Sequence, residues 1–167
     1  MTSAANAPWR DHPALRDRFL GAPDQLQVVI HDGGPRLTQA APELVWVEAT
    51  GLDGADLFRG KILNQPVNLS SVAEGDTVRF IAPRGGGHLL MVTDRYLAER
   101  RDWSITPCDR CGLDELFDAP SDLVRATFPD LPAGAVLEQF TAFCALCGGV
   151  QAVRAIATTG AARAPTG

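Results

Sequence analysis

The chain is poor in lysine: Lys61 is the only one, the remaining basic residues are arginine, and the formal net charge is −5. Nucleic-acid affinity comes mainly from Lys and Arg displacing counterions, so an acidic chain of this kind is not primarily a phosphate binder. The near-replacement of lysine by arginine, with abundant alanine and glycine, fits a GC-rich genome rather than a function. Long hydrophobic runs are absent too. No stretch approaches the roughly 20 apolar residues that span a bilayer, and residues 1–10 lack the apolar core of a secretory signal. These absences lead us to expect a cytoplasmic protein with no membrane partner. Gly85-Gly86-Gly87 lacks the Gly-Lys-Ser/Thr ending of a phosphate loop, and no nucleophile–base pair stands out.

Cysteine is scarce as well, with four in 167 residues. A chain of this length buries a real core without disulfides, and a reducing compartment keeps paired thiols available for metal. All four cysteines fall in two matching motifs, Cys108-Asp109-Arg110-Cys111-Gly112 and Cys144-Ala145-Leu146-Cys147-Gly148. Two residues between cysteines let one tight turn present both sulfurs to one ion. The following glycine permits positive φ, so backbone N–H groups can face the thiolates. Two such turns supply the four sulfurs of a closed structural zinc site, and we assign Cys108, Cys111, Cys144 and Cys147 as ligands of one Zn²⁺. The 32 residues between Cys111 and Cys144 exceed the roughly 15–20 of simple sites, which calls for a helical insertion in a zinc-ribbon-like module. An iron–sulfur cluster lacks any sign of a redox partner. A thioredoxin-like dithiol would need a single pair beside a βαβ unit. His88 is the nearest histidine in sequence and is not counted among the ligands.

The rest of the chain reads as short strands. Leu26–His31 ends at Asp32-Gly33-Gly34-Pro35. Glu43–Ala49 is followed by a hairpin turn at Gly51–Gly54. Leu57–Leu63 follows, with a bulge expected at Gly60. Thr77–Ala82 has Val78 and Phe80 on one face, and His88–Val92 comes last. Strands at this spacing imply a small barrel or a strongly curved antiparallel sheet. A helix over Arg95–Arg101 is capped by Thr93 or Asp94. Pro13–Phe19 and Leu113–Phe117 are short helical candidates, and Ser121 is the expected N-cap of a helix ending before Pro129. Val136–Cys144 and Val150–Ile156 are extended. The fold class is therefore α+β. We expect an N-terminal arm over 1–24, a β-rich domain over 25–106, the cysteine module over 107–157 and a disordered tail over 158–167.

Within this pattern Val45-Trp46-Val47, Phe58-Arg59-Gly60, Asn64-Gln65-Pro66, Gly75-Asp76 and Asp102-Trp103 stand out. Together, over Glu43–Trp103, they resemble the YegJ-like family of bacterial domains. The resemblance implies a fold and carries no activity with it. Gly85–Arg101 is longer than the family core, and the cysteine module is an addition to it. The motif residues have structural readings beside it: Trp46 in the core, Asn64 and Pro66 shaping a turn, Gly75 and Asp76 starting the Thr77 strand.

The favoured reading is non-enzymatic: a zinc-braced module that binds a protein or small-molecule partner. A nucleic-acid reading rests on Arg84, Arg95, Arg100, Arg101 and Arg110, against seven acidic and three basic residues over 107–157. An enzymatic reading would need Asp53, Asp56, Glu74, Asp76 or Asp102 to converge, or a pocket at His31 or His88.

Overall fold

Alternating apolar residues build the first half of the molecule. The computed structural model describes residues 7–20, 24–34, 38–132, 134–135 and 137–156, and it divides into two compact units, before and after the Val92–Thr93 bond. In the N-terminal unit five strands, β1 (Gln25–Ile30), β2 (Glu43–Leu52), β3 (Phe58–Ile62), β4 (Thr77–Ile81) and β5 (Leu89–Val92), close into a barrel in sequence order. Neighbours pair antiparallel, and β5 returns parallel to β1 through Val28↔Leu89 and Val29↔Leu90. Inward-facing Val28, Ile30, Val45, Val47, Phe58, Ile62, Val78, Phe80 and Leu89 form the core.

The motif residues acquire particular jobs here. A side chain on Gly60 would meet Val47 Cγ1 at 2.4 Å and the Glu48 carbonyl at 2.8 Å, so glycine lets β2 and β3 close over Phe80. The Asn64 side-chain oxygen, Oδ1, accepts from the Trp46 N–H at 2.8 Å, one step beyond the Leu63-to-Trp46 backbone bond, and so extends the ladder past the end of β3. Gly75, at φ 94°, makes the turn into β4 with Asp76, whose carboxylate accepts from the Ala73 N–H at 2.9 Å.

Several expectations need correction. Trp46 lies half-buried outside the core, because Val45 and Val47 take the inward positions of β2. The irregularity lies on β2 between Ala49 and Gly51, not at Gly60, and it lets β2 run through the expected turn to Leu52. Pro13–Phe19 makes hydrogen-bonded turns rather than a helix. The described part of the arm, residues 7–20, is nonetheless packed on the barrel: Leu15 is fully buried in its core, and Arg10 and Trp9 both bond the Asp24 carboxylate. Residues 1–6, Pro35, Val136 and 158–167 lie outside the described residues.

The C-terminal unit holds helix α1 (Asp94–Arg100), strand β6 (Trp103–Ile105), helix α2 (Pro120–Thr127) and strands β7 (Gln139–Phe143) and β8 (Val150–Ala155), with β8 central in a three-stranded antiparallel sheet. Thr93 caps α1 by accepting from the Tyr96 N–H at 3.1 Å. Strand β6 begins at the Trp103 of the Asp-Trp motif and pairs with β8, so this unit begins at Thr93 rather than at residue 107. Leu113–Phe117 is not helical. Helix α2 has Ala119 at its N-cap and Pro120 in its first turn. Ser121 therefore sits inside the helix, where its N–H and hydroxyl donate to the Glu99 carboxylate at 2.8 and 2.5 Å. Among the described residues no helix is long and apolar enough to cross a membrane.

Candidate metal centre

Each cysteine pair sits in a turn whose shape is set by a glycine. Gly112 and Gly148 follow the second cysteine of each pair at φ 84° and 82°, the left-handed region the sequence called for. Their N–H groups close the turns onto the carbonyls of Cys108 and Cys144 at 3.0 and 2.8 Å. The turns also aim N–H donors at sulfur: Arg110 to Cys108 at 3.3 Å, Leu146 to Cys144 at 3.4 Å and Gly149 to Cys147 at 3.4 Å. Such bonds orient a thiolate and hold part of its charge.

The turns meet face to face. All four sulfurs lie within 4.8 Å of one another, with Cys108 to Cys147 at 3.4 Å and Cys111 to Cys144 at 3.6 Å. Tetrahedral bonding at ~2.3 Å from a shared ion would place sulfurs about 3.8 Å apart, so the set fits one four-coordinate cation. Cys108 and Cys144 are buried, while Cys111 and Cys147 are exposed. Backbone donors from Cys111 and Arg110 hold the Cys108 thiol down at about 6, whereas burial pushes Cys144 up to about 12. A dication at the centre would favour the thiolate form throughout.

Residues other than the four cysteines hold the turns together, and sequence reasoning assigned them no role. Asp109 accepts from the Val150 N–H at 2.8 Å through its side chain, and its own N–H donates to the Val150 carbonyl at 3.1 Å. This two-way bond joins the first turn to the strand leaving the second. Gly149 is the closest point: a side chain there would meet Cys108 Sγ at 2.4 Å and Asp109 Oδ1 at 2.8 Å. Buried Gln151 on β8 donates to the carbonyls of Leu113 and Glu115 at 2.9 and 3.1 Å, pinning the segment after the first turn. Glu115 is itself buried, and takes the Tyr96 hydroxyl at 2.5 Å and the Arg100 guanidinium at 2.5 and 3.1 Å. Burial beside the Glu115 carboxylate raises the Tyr96 pKa, keeping it a neutral donor. The one legible signal was the doubled glycine after Cys147, of which only Gly148 has positive φ.

The other candidate residues are dispersed. His31 is buried in the barrel, its Nδ1 accepting from the Gly33 N–H at 2.9 Å and its Nε2 donating to the Met91 carbonyl at 2.9 Å. His88 is exposed. Asp53 pairs with Arg59, Asp56 faces His12 at 3.6 Å, and Asp76 is engaged in its own turn. Of the candidate basic patch, Arg95 is bound to Asp122 and Arg100 to Glu115. Among the described residues, the four cysteines form the cluster able to hold a metal ion. Comparison of the chain with known protein families, with curated proteins and with solved structures found no match in any of the three.

Proposed function

We propose that this is a zinc-binding protein whose C-terminal unit is built around one structural Zn²⁺ and which serves as a non-enzymatic interaction or small-ligand-binding module. The observation that carries the reading is the convergence of four sulfurs within 4.8 Å from two glycine-closed turns. An all-sulfur set closes the coordination sphere and leaves no position for a reactive water, which is the structural rather than the catalytic pattern. The same unit also has a groove of about 480 Å³ lined by Trp103, Val124, Phe128, Leu131, Pro132 and Leu137. That volume and apolar lining suit a small molecule or a short apolar segment of a partner. The resemblance of Glu43–Trp103 to YegJ-like domains belongs to the same proposal. Its support is that Gly60, Asn64 and Gly75 each hold a position the barrel needs.

Elemental analysis of protein purified without added metal tests the reading. One equivalent of zinc per chain, with four thiols released only on denaturation in chelator, is expected. Zinc far below one equivalent in protein purified under reductant, with all four thiols free, would sink it.

A further inference from the structure

The four sulfurs are not equivalent, and their inequality has an order. All four sulfurs lie within 4.8 Å of one another, and two hydrogen-bonding contacts join one turn to the other, Cys108 to Cys147 at 3.4 Å and Cys111 to Cys144 at 3.6 Å. Each contact also pairs one exposed cysteine with one buried cysteine. An oxidant arriving from solvent meets Cys147 and Cys111 first, and in both cases a shielded sulfur of the opposite turn stands directly behind.

We propose that the centre is a hydroperoxide-responsive zinc switch in which Cys111 and Cys147 are the attacking thiolates, Cys144 and Cys108 resolve them, and oxidation exchanges the metal for two cross-turn disulfides. This rests on the zinc reading above. In the first step the exposed thiolate sulfur attacks one peroxide oxygen. The S–O bond forms, the O–O bond breaks, and the departing hydroxide or alkoxide takes a proton, leaving a sulfenic acid. The buried thiolate of the facing turn then attacks that sulfur. The S–S bond forms, the S–O bond breaks, and hydroxide leaves as water after protonation. Each disulfide consumes one hydroperoxide and gives up two electrons, so two equivalents convert all four ligands. Zinc loses its anionic donors as this proceeds and departs as the free dication.

The connectivity decides what oxidation does to the unit. A disulfide within one CxxC turn would constrain only that turn and let the two halves separate. Cross-turn bonds keep the 32-residue span between Cys111 and Cys144 closed in the metal's place. The oxidised unit therefore keeps its sheet while losing its ion, and reductant with zinc reverses the change. Contraction from 3.4 and 3.6 Å to a bonded ~2.05 Å is small enough for turn side chains to absorb.

The test uses the full chain loaded with zinc. Hydrogen peroxide is titrated against a chromophoric zinc chelator, and disulfides are mapped by mass spectrometry after digestion under acid. We expect complete zinc release near two equivalents, Cys108–Cys147 and Cys111–Cys144 linkages, and recovery of one bound zinc after reduction. A sub-stoichiometric pulse of alkylating reagent should label Cys111 and Cys147 before the buried pair. Predominant Cys108–Cys111 and Cys144–Cys147 linkages would overturn the proposal, as would zinc held through a large excess of peroxide. Cys147→Ser should leave Cys111–Cys144 as the single disulfide. If that variant does not fold, the wild-type map still decides. A chain purified under reductant, with four free thiols and no zinc, fails the metal reading itself, which is a different result from zinc-loaded protein forming the wrong bonds.

Discussion

At the scale of single residues, two positions have consequences larger than their type suggests. Gly149 is buried against Cys108 Sγ and the Asp109 carboxylate, at 2.4 and 2.8 Å from where a methyl group would stand. Neither neighbour is a free chain end, since one sits in the four-cysteine cluster and the other is bonded to Val150. Gly149→Ala must therefore push the turns apart, and we expect zinc affinity to fall by at least about tenfold in chelator competition, the scale of losses from disturbed ligand support. Gly148→Ala makes a useful contrast. It has open space around it and only a φ of 82° to accommodate, a strain of roughly 1–2 kcal/mol. A larger loss of zinc from the Gly148 variant would refute the packing argument. The second position is His31. Burial lowers its pKa from 6.5 to about 4, and its neutral ring fills both hydrogen-bonding roles at once. The unfolded chain takes up this proton at higher pH than the folded chain does. The stabilisation is therefore complete above pH 6.5 and is lost as pH falls toward 4. The shift corresponds to at most about 3 kcal/mol. Denaturant melts of the barrel at pH 7, 5.5 and 4.5 should show this slope, and His31→Phe should flatten it while lowering stability at pH 7. An unchanged slope in the variant would place the effect elsewhere, with Asp24 and Asp32 the first alternatives, since hydrogen bonds lower both of their pKa values.

At the scale of elements, legibility followed locality. Strands β1 to β5 were readable because their apolar alternation and their turn residues are written in consecutive positions. The four-cysteine cluster was readable for the same reason: CxxCG is a local motif with a local mechanism. What could not be read depended on partners distant in sequence. Strand β6 is three residues long, and only its pairing with β8, some 50 residues onward, makes it a strand. Leu113–Phe117 has helix-forming leucines, yet Gln151 and Tyr96 take up its backbone groups and it forms no helix. The N-cap assignment at Ser121 failed because Glu99, on another helix, supplies the carboxylate that a capping side chain would otherwise replace. Trp46 carries the largest apolar side chain on its strand but falls on the outward register, and the period of two outranks size.

At the scale of the whole molecule, the two units differ in what holds them together. The barrel has a continuous core running from Leu15 to Met91, with nearly every inward position filled by Leu, Ile, Val or Phe. The C-terminal unit buries a shorter set, Tyr96, Leu113, Leu116, Phe117, Phe140 and Val153, together with the polar Glu115 and Gln151. A structural zinc site contributes about 10–16 kcal/mol of apparent binding free energy in small peptides, as much as the entire stability of a typical domain at about 5–15 kcal/mol. If the centre holds zinc as proposed, its removal should weaken the unit with the smaller core, while the barrel contributes no residue to the cysteine cluster. Cys144→Ser leaves three sulfurs and opens the long loop, so it should release zinc and collapse the protection of the C-terminal unit. Hydrogen exchange reads this residue by residue. Amides of β6, β7 and β8 should exchange at least about a hundredfold faster in the variant, because a loss of ~2.7 kcal/mol in local stability already produces that factor at 1.36 kcal/mol per tenfold. Amides of β1 to β5 around Val47, Phe58 and Phe80 should be unchanged. Equal loss in both sets would mean that the chain folds as one cooperative body, and that the division at Val92 describes contacts without describing energetics.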